Sequence, residues 1–246
     1  MERRHGVMMA VAVLLVIVLA VAFQAIGWEN GAFDRDPVSR NDDEADGIID
    51  LPRLHEETPT DLDAFLASRR SVRTYAEEPV ESEAVSRLLW AAQGINDPAR
   101  GFRTAPSAGA LYPLEVYLIV GEVPGLAAGV YRYQSDGHQL KRMLSGDVRG
   151  KLAQAALGQD SVRRAPAVMV VSGFYERTTI QYGERGERYV HLEAGHAAQN
   201  LCLQVEALDL ACVVIGAFRD EEVREALQLD EDETPLYLIP VGHPQS

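Results

Sequence analysis

Residues 103–121 read "RTAPSAGALYPLEVYLIVG", and the two halves of that stretch ask for different backbones. The second half, Leu114–Val120, is rich in branched and aromatic residues and predicts a strand. The first half fits neither a strand nor a helix face. Ser107, Ala108, Gly109 and Ala110 leave the main chain bare, while Pro106 and Pro113 fix φ and remove two donors. Three demands account for a segment this bare and this stiff. A flat ligand lies against the peptide planes. Ser107 is a nucleophile, because Ala105-Pro106-Ser107-Ala108-Gly109 is one glycine short of a G-x-S-x-G elbow. Or the chain turns a tight corner.

Working outward from this stretch, residues 61–68 and 82–94 predict helices, the second with Val85, Leu88, Leu89 and Ala92 on one face and Gly94 as its stop. Segments 130–133 and 139–144 flank Ser135-Asp136-Gly137, a hairpin signal. Residues 147–157 predict a helix and 167–171 a buried strand. The longest helix is expected over 192–208, with Ala194, Ala197, Ala198, Leu201, Val205 and Leu208 as its core stripe. Segments 213–218 and 236–241 predict further buried strands. A hairpin among irregularly interspersed helices favours an α+β fold over a regular βαβ array.

With 246 residues, 47% of them hydrophobic, the chain can build one full core or at most two small ones. Its 37 acids and 23 bases leave a formal charge of −14, which repels nucleic acid and excludes a polyanion as the expected partner. Lys141 and Lys151 are the only lysines, so cationic chemistry rests on arginine and its planar fork. An unbroken apolar run over 7–23, preceded by Arg3 and Arg4, is long enough to cross a bilayer with the N-terminus inside. We expect residues 1–28 to be an uncleaved transmembrane anchor; a cleaved signal ending at Ala20-Val21-Ala22 is the alternative. Residues 29–60, with Asp42-Asp43-Glu44 and three prolines, read as a solvated acidic linker, and 61–246 as the folded domain. Cys202 and Cys212 sit in apolar segments without metal-like spacing and read as small buried hydrophobes.

Arg69, Arg70, Ser71 and Arg73 put three guanidinium groups and a hydroxyl within five residues, enough to surround one phosphate. The alternative is that these cations complement the C-terminus of the preceding helix. Nucleotide fingerprints are missing: there is no G-x-G-x-x-G, and Gly146 to Lys151 has the wrong spacing for a P-loop, with Leu152 where Ser or Thr belongs. Glu193 and His196 have the E-x-x-H spacing of di-iron bundles, but such sites need two pairs and further carboxylates, so no metal is expected. A serine hydrolase built on Ser107 and a base such as His196 is the weaker reading, because Pro106 suits neither a strand end nor the strained elbow.

Taken together, "RRSVRTY", "RTAPSAGALYPLEVYLIVG", "GERGERYVHLEAGHAAQN" and "YLIPVGHP" resemble, in order and spacing, the nitroreductase family of FMN oxidoreductases, and within it the SagB/ThcOx-type dehydrogenases. The resemblance covers roughly residues 51–244. It implies a central, mainly antiparallel sheet flanked by helices, a homodimer, and non-covalent FMN at the dimer interface. It also implies that Arg69, Arg70, Ser71 and Arg73 contact the phosphate, ribityl chain and ring edge. Pro106, Ser107, Ala108, Gly109, Ala110 and Leu111 would line the isoalloxazine from the other subunit, and Gly216 and Ala217 would offer backbone near flavin N5. The implied chemistry is two-electron hydride transfer with ping-pong kinetics on a small-molecule or peptide substrate. Azoline-oxidising members carry a Lys-Tyr pair in a loop beside the flavin. Here the pair reads Gln181-Tyr182, so Tyr182 is the candidate catalytic residue and the base is missing. His243 likewise replaces the arginine of a frequent "VGRP" ending. The competing expectation is a membrane-tethered flavin-binding or interaction protein without turnover. Its catalytic or binding domain would lie outside the cytoplasmic membrane.

Overall fold

The computed structural model describes residues 60–245. The expected anchor, the linker up to Pro59 and the terminal Ser246 lie outside the described residues. Among the described residues no helix is long and apolar enough to cross a membrane.

Helices α1 (Asp61–Ser68) and α2 (Ser82–Gln93) precede a short antiparallel pair, β1 (Ile95–Asp97) and β2 (Phe102–Arg103). A six-stranded sheet follows, built from β3 (Leu114–Val120), β4 (Gly129–Gln134), β5 (Gln139–Ser145), β6 (Ala167–Gly173), β7 (Ala211–Cys212) and β8 (Thr234–Gly242). Its order is β5-β4-β3-β6-β8-β7, with every paired neighbour antiparallel. Helices α3 (Arg149–Ala155) and α4 (Asp160–Arg164) connect β5 to β6; α5 (Glu176–Tyr182) and α6 (Arg185–Glu206) connect β6 to β7; α7 (Asp220–Leu227) leads into β8.

The pleat sends Val116, Leu118 and Val120 of β3 to one face of the sheet, where they meet Leu88 and Leu89 of α2 and the Ala194–Leu201 side of α6. Tyr117 and Ile119 point to the opposite face and meet Leu152 of α3 and Val223 and Leu227 of α7. Helices cover both faces, so every residue of β6 is buried and the strand reads as a continuous apolar run. That is the physical form of the α+β expectation: an antiparallel sheet between two helical layers.

α1 is closed by a capping box. Thr60 Oγ1 accepts from the Asp63 amide at 3.2 Å, and the Thr60 amide donates to the Asp63 carboxylate at 2.8 Å. His138, at the hairpin tip with φ of 50°, ties β4 to α2: its ring nitrogens lie 2.7 Å from Ser86 Oγ and 2.7 Å from Tyr133 Oη.

Two expectations need correction. Segment 213–218 is not a strand. After the two residues of β7 only Ile215 pairs, exchanging 2.9 Å bonds with Leu238, and the chain then leaves the sheet with Gly216 and Ala217 exposed. The Gln181-Tyr182 pair does not lie in a loop. Tyr182 ends α5, and α6 begins at Arg185 rather than Leu192, because Arg185 to His191 is helical without an apolar stripe to announce it.

Candidate functional site

The bare stretch from Pro106 is folded by its own backbone into a shape that few residues accept. Gly109 has φ 61°, Ala110 54° and Tyr112 46°, so three of four successive residues are left-handed. A short 3-10 turn, Ala108–Ala110, carries them, with the Ser107 hydroxyl accepting from the Tyr112 amide at 2.9 Å. Surrounding arginines hold the turn. The Arg103 guanidinium lies 4.6 Å from the Tyr112 ring centroid, and Arg177 of α5 reaches the Tyr112 carbonyl at 3.4 Å while bridging Glu115 at 2.8 Å. Arg132 grips the same Glu115 at 2.7 Å. Pro106, Gly109 and Ala110 stay exposed, and Ser107, Ala108 and Leu111 are half-buried.

The turn meets the end of α5. A Cβ at Gly109 would stand 2.8 Å from Tyr182 Oη and 3.3 Å from Gln181 Nε2. Gln181 in turn donates to the Tyr182 hydroxyl at 3.3 Å, and the Tyr182 ring stacks edge-on against Tyr189 of α6 at 5.1 Å. Within one chain the structure therefore brings Gly109, Gln181 and Tyr182 together. Glycine is required here twice, by its φ and by the hydroxyl opposite it.

Beneath the turn lies a carboxyl that sequence reasoning set aside. Glu193 is buried on α6 and faces Ser107, Gln93 and Arg103, whereas His196 is exposed on another side of the same helix. Burial pushes the Glu193 carboxyl up to about 7, against the downward pull of Ser107, Gln93 and Arg103. Glu193 Oε1 and Gln93 Nε2 are both buried, and neither has a hydrogen-bond partner of good geometry. Gln93 Oε1 accepts from Arg103 at 2.9 Å. The E-x-x-H spacing pointed at Glu193 for the wrong reason; its place on the Ala194 side of the core stripe was the usable signal. Among the described residues no group of three or more His, Cys, Asp and Glu side chains is placed to hold a metal. No hydrogen bond joins Ser107 to a histidine among them either, so the hydrolase reading lacks its base.

The arginine cluster divides. Arg70 folds back on α1, donating to the Ala67 carbonyl at 2.8 Å and the Arg69 carbonyl at 2.9 Å, which is the helix-end role of a cation. Ser71 pairs with Cys212, and the Val72 amide donates to the Cys212 carbonyl at 2.9 Å, so β7 positions the segment. Ser71 and Arg73 are exposed and Arg69 half-buried, and none of the three arginines is paired with a carboxylate among the described residues. Arg73 borders a cavity of about 670 Å³ with Arg149, Arg163 and Arg164, but Glu77, Glu78, Glu122 and Asp160 balance its charge and no residue of the 106–111 turn lines it.

Gly216 and Ala217 are exposed beside β8; a Cβ at Gly216 would meet only Tyr237, at 3.8 Å. The His243 carbonyl accepts from Ala76 at 3.0 Å, which ties the chain end to the arginine segment. The turn and the cluster do not meet within the chain. Ser107 lies against Glu193, and Ser68 binds Glu206 at 2.8 Å. At 1.5 Å of rise per residue these anchor points are roughly 20 Å apart along α6.

The nitroreductase family model matches residues 66–243, and the chain belongs to that family. A Methanocaldococcus jannaschii protein named as a nitroreductase is 47% identical over 194 residues, spanning 79% of this chain and 95% of that one. The microcin B17-processing protein McbC of Escherichia coli is 27% identical over 194 residues, spanning 75% of this chain and 67% of McbC. A crystal structure described as a nitroreductase from Anabaena variabilis superposes with a TM-score of 0.67 at 32% identity, covering 75% of this chain and 38% of that one. Membership makes the protein an oxidoreductase by family and implies a flavin cofactor. The residues present fit one: the guanidinium groups of Arg69 and Arg73, unpaired with any carboxylate among the described residues, for a phosphate, together with an exposed backbone turn and, at Gly216, an open glycine.

Proposed function

We propose that the chain is an FMN-dependent oxidoreductase of the SagB-type dehydrogenase branch, working as a homodimer on a small-molecule or peptide substrate. The left-handed Pro106 to Leu111 turn, exposed and pressed against Gln181 and Tyr182, carries this reading. Bound FMN supplies two-electron hydride chemistry at N5, with two half-reactions at one site. Arg69, Ser71 and Arg73 hold the phosphate end. The bare turn receives the ring, and the exposed Gly216 and Ala217 amides and carbonyls orient its edge. The roughly 20 Å between cluster and turn supports a site completed by two subunits, each lending its turn to the other's arginines. Likeness to McbC, by name a microcin B17-processing protein, supports the branch and a peptide among the substrates.

Tyr182 is the residue that meets the substrate. The neutral amide of Gln181 cannot serve as a base where azoline-oxidising members carry lysine, so Tyr182 orients the substrate through its hydroxyl. Azoline oxidation should therefore be undetectable in the native protein. The Gln181 departure also favours a second reading, a tethered flavin-binding protein without turnover. Bleaching of the yellow protein by a reductant, followed by return of the colour with a quinone or nitroaromatic, decides for the enzyme.

Purified protein should carry releasable FMN. Arg69→Ala with Arg73→Ala should strip it, each lost charge-assisted contact costing about 1.5–3 kcal/mol. Arg70→Ala should retain it, because that side chain is spent on α1. Equal flavin content in all three proteins would remove the phosphate assignment. The N-in anchor would put the domain outside the cytoplasmic membrane, with electrons from a quinone or an exported donor. A reporter fused after Ser246 that is active only in the cytoplasm would overturn this topology.

A further inference from the structure

We propose that Cys202 and Cys212 are a redox-active dithiol that closes to an intramolecular disulfide on reaction with a peroxide, and that closure acts on residues 69–73. The two sulfurs, one on α6 and one on β7, stand 3.6 Å apart inside the apolar layer beneath the arginine segment. With no metal-ligating cluster among the described residues, the pair is not half of a metal site. Arg69 and Glu206 are the charged groups that act on both sulfurs.

The two thiols are not equivalent. Cys212 donates its S–H to the Cys202 sulfur, which holds the Cys202 thiol below its ordinary range with help from Arg69, while the same bond and burial push Cys212 up. Cys202 is the attacking thiolate and Cys212 the resolving thiol. The Cys202 sulfur forms an S–O bond to one peroxide oxygen as the O–O bond breaks, and the departing hydroxide takes the proton Cys202 released. The Cys212 sulfur then attacks that sulfenic sulfur, the S–S bond forms, the S–O bond breaks, and the hydroxide leaves with the Cys212 proton as a second water. Two thiols lose two electrons and one peroxide becomes two waters.

Closing a disulfide needs the sulfurs about 1.5 Å nearer than they stand. The Cys212 carbonyl holds the Val72 amide and Cys212 pairs with Ser71, so movement of β7 is passed directly to the segment between Arg69 and Arg73. This second step rests on the reading that those residues hold the FMN phosphate.

The test treats the full chain with hydrogen peroxide, then measures free thiols and intact mass after denaturation. Expected are joint loss of both thiols, a mass lower by about 2 Da, no cross-linked chains, and reversal by dithiothreitol. Cys212→Ser should trap an oxygenated Cys202, and Cys202→Ser should leave Cys212 unoxidised over the same time. Two thiols still free in the native protein would overturn the dithiol, and equal oxidation in both variants would overturn the assigned order of attack. Bound FMN should fall about fivefold on oxidation and return on reduction. A disulfide that leaves FMN unchanged would overturn the coupling. Absence of FMN from the reduced protein would sink the flavin reading and the coupling with it, while the thiol count still judges the disulfide.

Discussion

Glu193 and Gly109 set the local energetics of the site. The buried Glu193 carboxyl titrates near 7, against 4.5 for an ordinary glutamate. Below 4.5 both folded and unfolded chains hold the proton and its contribution to stability is complete. Between 4.5 and 7 the unfolded chain releases its proton first, so stability falls as pH rises, and above 7 the loss is full. At about 1.4 kcal/mol per unit this amounts to roughly 3 kcal/mol. Burial raises Glu233 in the same sense. The urea midpoint should therefore fall between pH 5 and pH 8, and Glu193→Gln should remove most of that fall; an unaltered pH profile in the variant would contradict the assignment. Gly109→Ala should cost about 1–2 kcal/mol from left-handed strain alone. A further penalty should come from Tyr182 Oη, 2.8 Å from the new methyl. That second part should shrink when Gly109→Ala is measured in a Tyr182→Phe background, because the hydroxyl makes the shortest contact and only Gln181, at 3.3 Å, then remains close. Strict additivity in this double-mutant cycle would mean the two residues do not touch.

At the scale of elements, α3 and α5 act as clamps. Arg149 opens α3 and binds Asp147 at 2.8 Å and the Ala165 carbonyl at 2.8 Å, packed where any side chain on Gly121 would collide with it. Removing it leaves a carbonyl and a half-exposed carboxylate without their partner, so Arg149→Ala should destabilise by about 2–3 kcal/mol, read from denaturant unfolding. Lys in its place should recover little, since an ammonium cannot span both acceptors. α5 delivers Gln181 and Tyr182 to the turn, with Arg177 of the same helix fastening Glu115 and Tyr112. Quinone or nitroaromatic reduction should survive Tyr182→Phe within about tenfold, because the cofactor does the chemistry. Gln181→Lys should leave that activity and, with a suitable azoline, introduce oxidation. Efficient azoline oxidation by the unaltered protein would contradict the role given to the missing lysine. Strong periodicity made α2 and the core of α6 legible. α5 and α7 were not: α7 buries only Val223 and Leu227 in eight residues, too few contacts to mark a helix against its acidic background.

Over the whole molecule, charge is the governing quantity. A formal charge of −14 repels itself in the compact state, and added salt screens that repulsion. Salt also weakens ion pairs, but exposed ones such as Arg87–Glu83 and Arg219–Glu222 contribute about 0–1 kcal/mol each. The long-range repulsion should win. Thermal midpoints should rise with potassium chloride, by roughly 2–4 °C per kcal/mol regained; a midpoint that falls with salt would show that local pairs dominate.

The strands read at 114–120, 167–171 and 236–241 were legible because central strands buried on both faces demand continuous apolar runs, while 130–133 and 139–144 were marked by the turn between them and the helices at 61–68 and 82–94 by their own patterning. The bare turn before β3 stood out too, since Pro106, Pro113 and the small residues between them fit neither a helix nor a strand. Packing decided the rest. Residues 213–218 have strand composition, yet the edge of the sheet releases them after Cys212 and exposes Gly216. Arg70 is identical in sequence to its neighbour Arg69, but the helix end beside it offers carbonyls and captures it. Glu193 becomes a near-neutral acid only because α2, α6 and the turn close over it and remove its water. Periodicity records which residues must leave water; which polar groups they take with them depends on neighbours that are distant in sequence.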